Sequence, residues 1–153
     1  MNAVHDGLLA SKICSYAQGL ALIRAGSARY NWNIDRAETA RIWKGGCIIR
    51  ATLLDLIMKA IHREPDLTNL LLAEDFERRL AELQPNWRRA LGVAQSLGIA
   101  MPATAASLSY FDSYRTARLP QNLTQAQRDA FGAHTYERVD RPELGFVHTE
   151  WLA

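Results

Sequence analysis

Four histidines (His5, His62, His134 and His148) and two cysteines (Cys14 and Cys47) are the side chains best able to bind a metal or act as nucleophiles, and their spacing suits neither task. No HExxH or comparable pair puts two imidazoles on one helix face, and neither cysteine has a second thiol or imidazole at ligand distance along the chain. The thiols therefore read as buried and structural. No serine or cysteine lies in a GxSxG or CGxCW-like context. The paired carboxylates Glu74-Asp75 stand at a helix start, where the positive end of the macrodipole already favours them. There is no GxGxxG, no GxxxxGK[ST] and no strand–helix–strand alternation to carry either loop, so these residues encode no nucleotide-binding domain. Neither a metal nor a cofactor is expected to bind this chain alone.

The elements that would position any site are helices. Leu9, Ile13, Tyr16, Leu20 and Ile23 recur at steps of four and three, which makes one long amphipathic helix over Leu8–Tyr30. Asn31-Trp32-Asn33 breaks it. Asp35 followed by Glu38 is a capping-box-like start for a short helix to about Trp43. Ile49, Leu53, Leu56 and Ala60, with Leu54, Ile57 and Ile61 beside them, form a wide apolar face on a third helix that stops before Pro65. A short helical turn at Asn69–Leu72 leads into a fourth long element with Phe76, Leu80, Leu83, Trp87, Leu91 and Ala94 on one face. Pro85 should kink or break it. A fifth helix begins near Pro102 and carries Leu108, Phe111 and Tyr114. A sixth has Asn122 as N-cap, Gln125 at N3 and Gly132 as its C′ glycine.

After Gly132 the 3.6-residue period stops. Thr135–Val139 and Phe146–Trp151 are β-prone patches around Asp140–Gly145, and both a small hairpin and an extended tail are open. Tyr136, Phe146, Trp151 and Leu152 in that tail need cover from somewhere. The expected fold is therefore all-α, with a helical domain over residues 1–131 and a C-terminal tail over 132–153.

Composition agrees with one globular domain: 153 residues, 48% hydrophobic and 22% charged, enough to build a core without disulfides. A net charge of +2 is too small to call for nucleic acid, and residues 120–153 carry three arginines against five acids. No apolar run is long enough to span a bilayer, and the start MNAVHDG has no basic region followed by an apolar one. A cytoplasmic protein without membrane or nucleic-acid partners is the expectation.

Several segments carry more than periodicity. Ser11-Lys12-Ile13 through Ser15-Tyr16-Ala17-Gln18-Gly19, Trp43-Lys44-Gly45-Gly46-Cys47-Ile48-Ile49-Arg50, and Asn69–Leu72 come first. Leu119-Pro120, Asn122-Leu123, Gln125-Ala126-Gln127-Arg128-Asp129, Phe131-Gly132-Ala133-His134-Thr135-Tyr136, Phe146, His148-Thr149 and Trp151 complete the set. In this order, from about Leu8 to Leu152, they resemble the C-terminal domain of decarboxylating 6-phosphogluconate dehydrogenase. The likeness departs at Ala130, where a tyrosine is usual, and at Pro85.

The resemblance implies a homodimeric oxidoreductase of the pentose phosphate pathway. An N-terminal domain binds NADP in such enzymes, and the helical domain forms the dimer interface and much of the substrate site. The reaction oxidises C3 of 6-phosphogluconate by hydride transfer and decarboxylates the β-keto acid to ribulose 5-phosphate. The family's catalytic lysine and glutamate lie upstream of the matched region. Two residues carry over by motif: Arg128 and His134 match the arginine and histidine that reach from one subunit's tail to the substrate phosphate in the other subunit's site. A guanidinium fork suits a phosphate, and a nearby imidazole adds a donor. The same two residues admit a second reading, in which Arg128 complements the negative end of its helix and His134 caps free carbonyls. At the level of function, the alternative to a dehydrogenase part is a stand-alone helical interaction module that kept the fold and lost catalysis.

Overall fold

The computed structural model describes residues 2–151, among which lie six α-helices and one short two-stranded hairpin. Leu152, one of the tail residues expected to need cover, lies outside the described residues. The chain forms two compact units, Met1–Asp112 and Ser113–Ala153. The change of character after Gly132 falls inside the second unit.

In the first unit, α1 (Asn2–Tyr30) starts earlier than the apolar periodicity suggests. Its first turns are held by α4 (Glu74–Ser96): the Asn86 amide donates to Asp6 Oδ2 at 2.6 Å, and Gly7 lies so close to Trp87 that an added Cβ would sit 3.2 Å from the indole Cδ1. The stripe Gly7, Ala10, Cys14 and Ala17 is buried beside Ile13, Tyr16 and Leu20, whereas Leu9 and Ile23 are only half-buried. Small side chains let two long helices approach closely, so this stripe and not the bulky one sets the packing. Asn31 (φ 54°) and Asn33 (φ 51°) take the left-handed conformation that ends α1.

Asp35 caps α2 (Arg36–Trp43), its Oδ1 accepting from the Glu38 amide at 2.9 Å. The reciprocal half of a capping box is absent, because the Glu38 carboxylate is taken by Arg41. Helix α3 (Leu53–Arg63) buries Leu53, Leu54, Ile57, Ala60 and Ile61 and ends before Pro65 as expected. Ile49 is not on it. It lies in the preceding turns, where its carbonyl accepts from the Tyr16 hydroxyl at 2.6 Å.

Pro85 does not break α4, which runs unbroken from Glu74 to Ser96. The missing hydrogen bond costs less than exposing Leu83 and Trp87, which flank the proline and are buried against the core. Cys14 is buried, but Cys47 is only half-buried, so the reading of two buried thiols holds for one of them. Burial pushes the Cys14 thiol up to about 12, which leaves it protonated and inert. Helix α5 (Pro102–Tyr114) begins on its proline and buries Phe111 against Trp87, their ring centroids 6.0 Å apart. No described helix is long and apolar enough to cross a membrane.

The second unit is built on α6 (Asn122–Gly132). Asn122 is its first helical residue, and the N-cap position is Gln121, which makes no side-chain cap. The left-handed residue at the far end is Ala133 (φ 49°, ψ 43°), not Gly132. Beyond it, β1 (Tyr136–Glu137) pairs antiparallel with β2 (Phe146–Val147), Tyr136 opposite Val147 and Glu137 opposite Phe146. Of the two forms left open for the tail, the hairpin is the one adopted.

Candidate functional site

Asp129 organises the second unit. It occupies the last turn of α6, where the negative end of the helix dipole disfavours an acid, and its side chain is fully buried. A carboxylate survives there only if its lone pairs are satisfied. Four donors converge on it. Oδ1 accepts from the Thr135 amide at 2.9 Å and from His148 Nδ1 at 3.0 Å. Oδ2 accepts from the Thr149 amide at 3.0 Å and from the Trp151 indole at 2.9 Å. Burial pushes the carboxyl up, but the Thr149 amide, His148 and Trp151 together outweigh it and hold Asp129 well below its ordinary 3.8. The Tyr136 and Thr149 hydroxyls meet at 2.5 Å and close the hairpin on itself.

This anchoring shapes the segment after the helix. The Ala133 amide donates to the Asp129 carbonyl at 2.7 Å, closing the helix end. Thr135 is held at φ 47°, costly for a β-branched residue, and its backbone is gripped at both its N–H and its C=O. Its amide goes to Asp129 and its carbonyl accepts from Gln125 Nε2 at 2.8 Å. His134 sits between two left-handed residues and is exposed, with no hydrogen bond among the described residues.

Arg128 is also exposed. Its Nη1 donates to Gln125 Oε1 at 3.2 Å, and no carboxylate among the described residues pairs with it. The structure thus places both sequence-expected residues on the second unit with unused donors. Among the described residues neither caps a carbonyl. Ala130, the departure from the expected motif, faces solvent on α6.

A cavity of about 380 Å³ on the second unit is lined by Arg118, Asn122, Gln125, Tyr136, Arg138 and Trp151, among others, and neither Arg128 nor His134 lines it. Asp129 and Gln125 were readable in the sequence only as members of a motif. The signal for Asp129 was present, since an acid in the last helical turn requires compensation that local sequence does not supply. For Gln125 there was none, because the carbonyl it holds exists only once the chain turns back. Among the described residues no three His, Cys, Asp or Glu side chains gather as a metal site would need.

Among the described residues no seat for a dinucleotide is built. The strands described are one short antiparallel pair, and no Gly-rich turn joins a strand to a helix.

Fold and site together define a class: an all-α domain that ends in a carboxylate-anchored hairpin and displays an arginine and a histidine at its last helix. The chain belongs to the family of the 6-phosphogluconate dehydrogenase C-terminal domain, whose family model matches residues 1–151. It is 58% identical over 149 residues to the decarboxylating 6-phosphogluconate dehydrogenase of Synechocystis, covering 97% of this chain and 31% of that protein. The chloroplastic decarboxylating enzyme 1 of Arabidopsis thaliana is 59% identical over 148 residues, covering 97% of this chain and 30% of that one. Among solved structures, 6-phosphogluconate dehydrogenase of Plasmodium falciparum superposes with a TM-score of 0.90 at 43% identity, covering 98% of this chain and 32% of that chain. That enzyme was solved without ligand, with its cofactor NADP+ and with its substrate 6-phosphogluconate. The chain spans about a third of the length of these relatives.

Proposed function

We propose that this chain is the substrate-contacting and dimer-forming part of an NADP-dependent, decarboxylating 6-phosphogluconate dehydrogenase. The observation that carries the reading is the pair Arg128 and His134 at the end of α6, exposed and, among the described residues, free of carboxylate partners. Arg128 offers its fork to the phosphate of 6-phosphogluconate, and His134 adds a donor from a segment whose backbone is already ordered. An ordered backbone reduces the freedom lost on binding, which favours affinity. The two side chains act in trans, from one subunit's tail to the partner subunit's site. A bound NADP would supply the hydride acceptor. The residues of this chain bind and orient, and hold no proton of the reaction.

The dimer follows from surface chemistry. Leu123, Phe131, Val139 and Phe146 on the second unit are 78%, 83%, 76% and 73% exposed. Four large bare apolar side chains on a 41-residue unit are what a homodimer interface would cover. Residues 1–153 alone reduce no NADP, since neither a dinucleotide seat nor the family's upstream lysine and glutamate is among them. The compartment consistent with this role is the cytoplasm.

The test is Arg128→Ala in the full-length dehydrogenase carrying this domain. KM for 6-phosphogluconate should rise by roughly ten- to a hundredfold, the effect of losing a charge-assisted contact, while KM for NADP stays put. Arg128→Lys should recover part of it, because the charge remains and the fork is lost. An unchanged KM beside a lowered melting temperature would instead assign Arg128 to the helix end, and leave the domain as an interaction module.

A further inference from the structure

We infer that Gln125 is a positioning residue that makes Arg128 and the His134 segment one recognition unit; this rests on the phosphate reading of those two residues. Gln125 lies one turn before Arg128 and Asp129 on α6, so its side chain reaches both the helix face and the returning chain. Its amide is used at both ends. Oε1 accepts from Arg128 Nη1 at 3.2 Å, and Nε2 donates to the Thr135 carbonyl at 2.8 Å.

The consequence is mechanical. A long arginine side chain on an exposed helix face samples several rotamers, and ordering it on binding costs affinity. The Gln125 acceptor removes part of that freedom beforehand. The same side chain grips the residue after His134, whose backbone sits at φ 47° and would relax without restraint. Asp129 holds the Thr135 amide and Gln125 the Thr135 carbonyl, so among the described residues it is the glutamine that links Thr135 to Arg128. Asp129 secures the hairpin as a whole, and Gln125 sets the two donors relative to one another. The planar glutamine amide presents an acceptor and a donor side by side, which is what these two partners require.

The experiment is kinetic and uses the full-length dehydrogenase carrying this domain. Gln125→Ala should raise KM for 6-phosphogluconate by about three- to tenfold, the range of one lost hydrogen bond, with KM for NADP unmoved and the melting temperature within about 2 °C. Gln125→Glu should do no better, because it keeps the Arg128 acceptor but turns a carboxylate toward the Thr135 carbonyl. The deciding measurement is kcat/KM at low substrate in an Arg128→Ala, His134→Ala background. There Gln125→Ala should add less than about twofold, since the residues it positions are gone. An equal loss in both backgrounds, or a matching change in KM for NADP, would reduce Gln125 to a structural residue and overturn the inference. If Arg128→Ala and His134→Ala each raise KM while Gln125→Ala does not, the inference falls and the phosphate reading stands. If those two variants leave KM unchanged, both fall.

Discussion

Asp129 shows how one residue can decide the form of a segment that has no core of its own. The hairpin strands are two residues each, far below what makes a hairpin stable in water, and Phe146 within them is exposed. Its order comes from a buried carboxylate whose two oxygens each take two donors. Replacing it with asparagine keeps the shape and turns an NH2 group against N–H donors, leaving buried groups unpaired. In Asp129→Asn the Thr135 and Thr149 amides should therefore exchange with solvent at least about tenfold faster, while amides in α1 and α4 keep their protection. Equal protection in the variant would mean that the hairpin is held by other means. The pH dependence has a defined sign. Because the folded carboxyl is held below its ordinary 3.8, its contribution is complete above that value and is lost as pH falls through the lower folded value. Protection of the Thr149 amide should thus be flat from neutral pH to about 4 and decline only in stronger acid.

At the scale of elements, the pairing of α1 with α4 dominates the first unit, and it explains why Pro85 is tolerated. The proline is exposed on α4, with Leu83 and Trp87 on the buried side, so its ring projects away from the core while its neighbours keep their packing. What it still removes is a backbone hydrogen bond to Ala81. Pro85→Ala should restore that bond without disturbing the buried face, raising stability by about 1–3 kcal/mol, part of the interior penalty of proline offset by the freer unfolded chain. Thermal unfolding of the variant checks this. A lower melting temperature would show that the helix path set by the proline is needed to seat Trp87 against Phe111.

For the whole molecule, the proposed dimer makes the most direct prediction. Burying Leu123, Phe131, Val139 and Phe146 between copies would remove the largest exposed apolar groups of the second unit. Sedimentation of the chain at micromolar concentration should show a dimer, and Phe131→Glu should shift the equilibrium toward monomer by at least about tenfold through the burial of an unpaired charge. A monomer at all concentrations would remove dimerisation from the role of these residues.

The helical class, the order of the elements and most of the buried face of α4 were legible in the sequence, because side chains four and three apart must share a face whatever surrounds them. Phe76, Leu80, Leu83, Trp87, Leu91 and Ala94 are buried as their spacing requires. Arg128 and His134 were legible as candidates through the motif that contains them. What remained hidden depends on residues distant along the chain. The early start of α1 rests on Asn86 and Trp87, and the continuity of α4 rests on burial that periodicity cannot weigh against a proline. Arg36, at the start of α2, is buried with its guanidinium donating to the Pro65 and Leu67 carbonyls at 2.6 Å, partners that lie about thirty residues further along the chain. Asp129 and Gln125 gain their roles only when the chain returns past α6. Local patterns are fixed by covalent geometry and are readable residue by residue, whereas a buried polar group is defined by partners that only the folded chain brings within hydrogen-bonding distance.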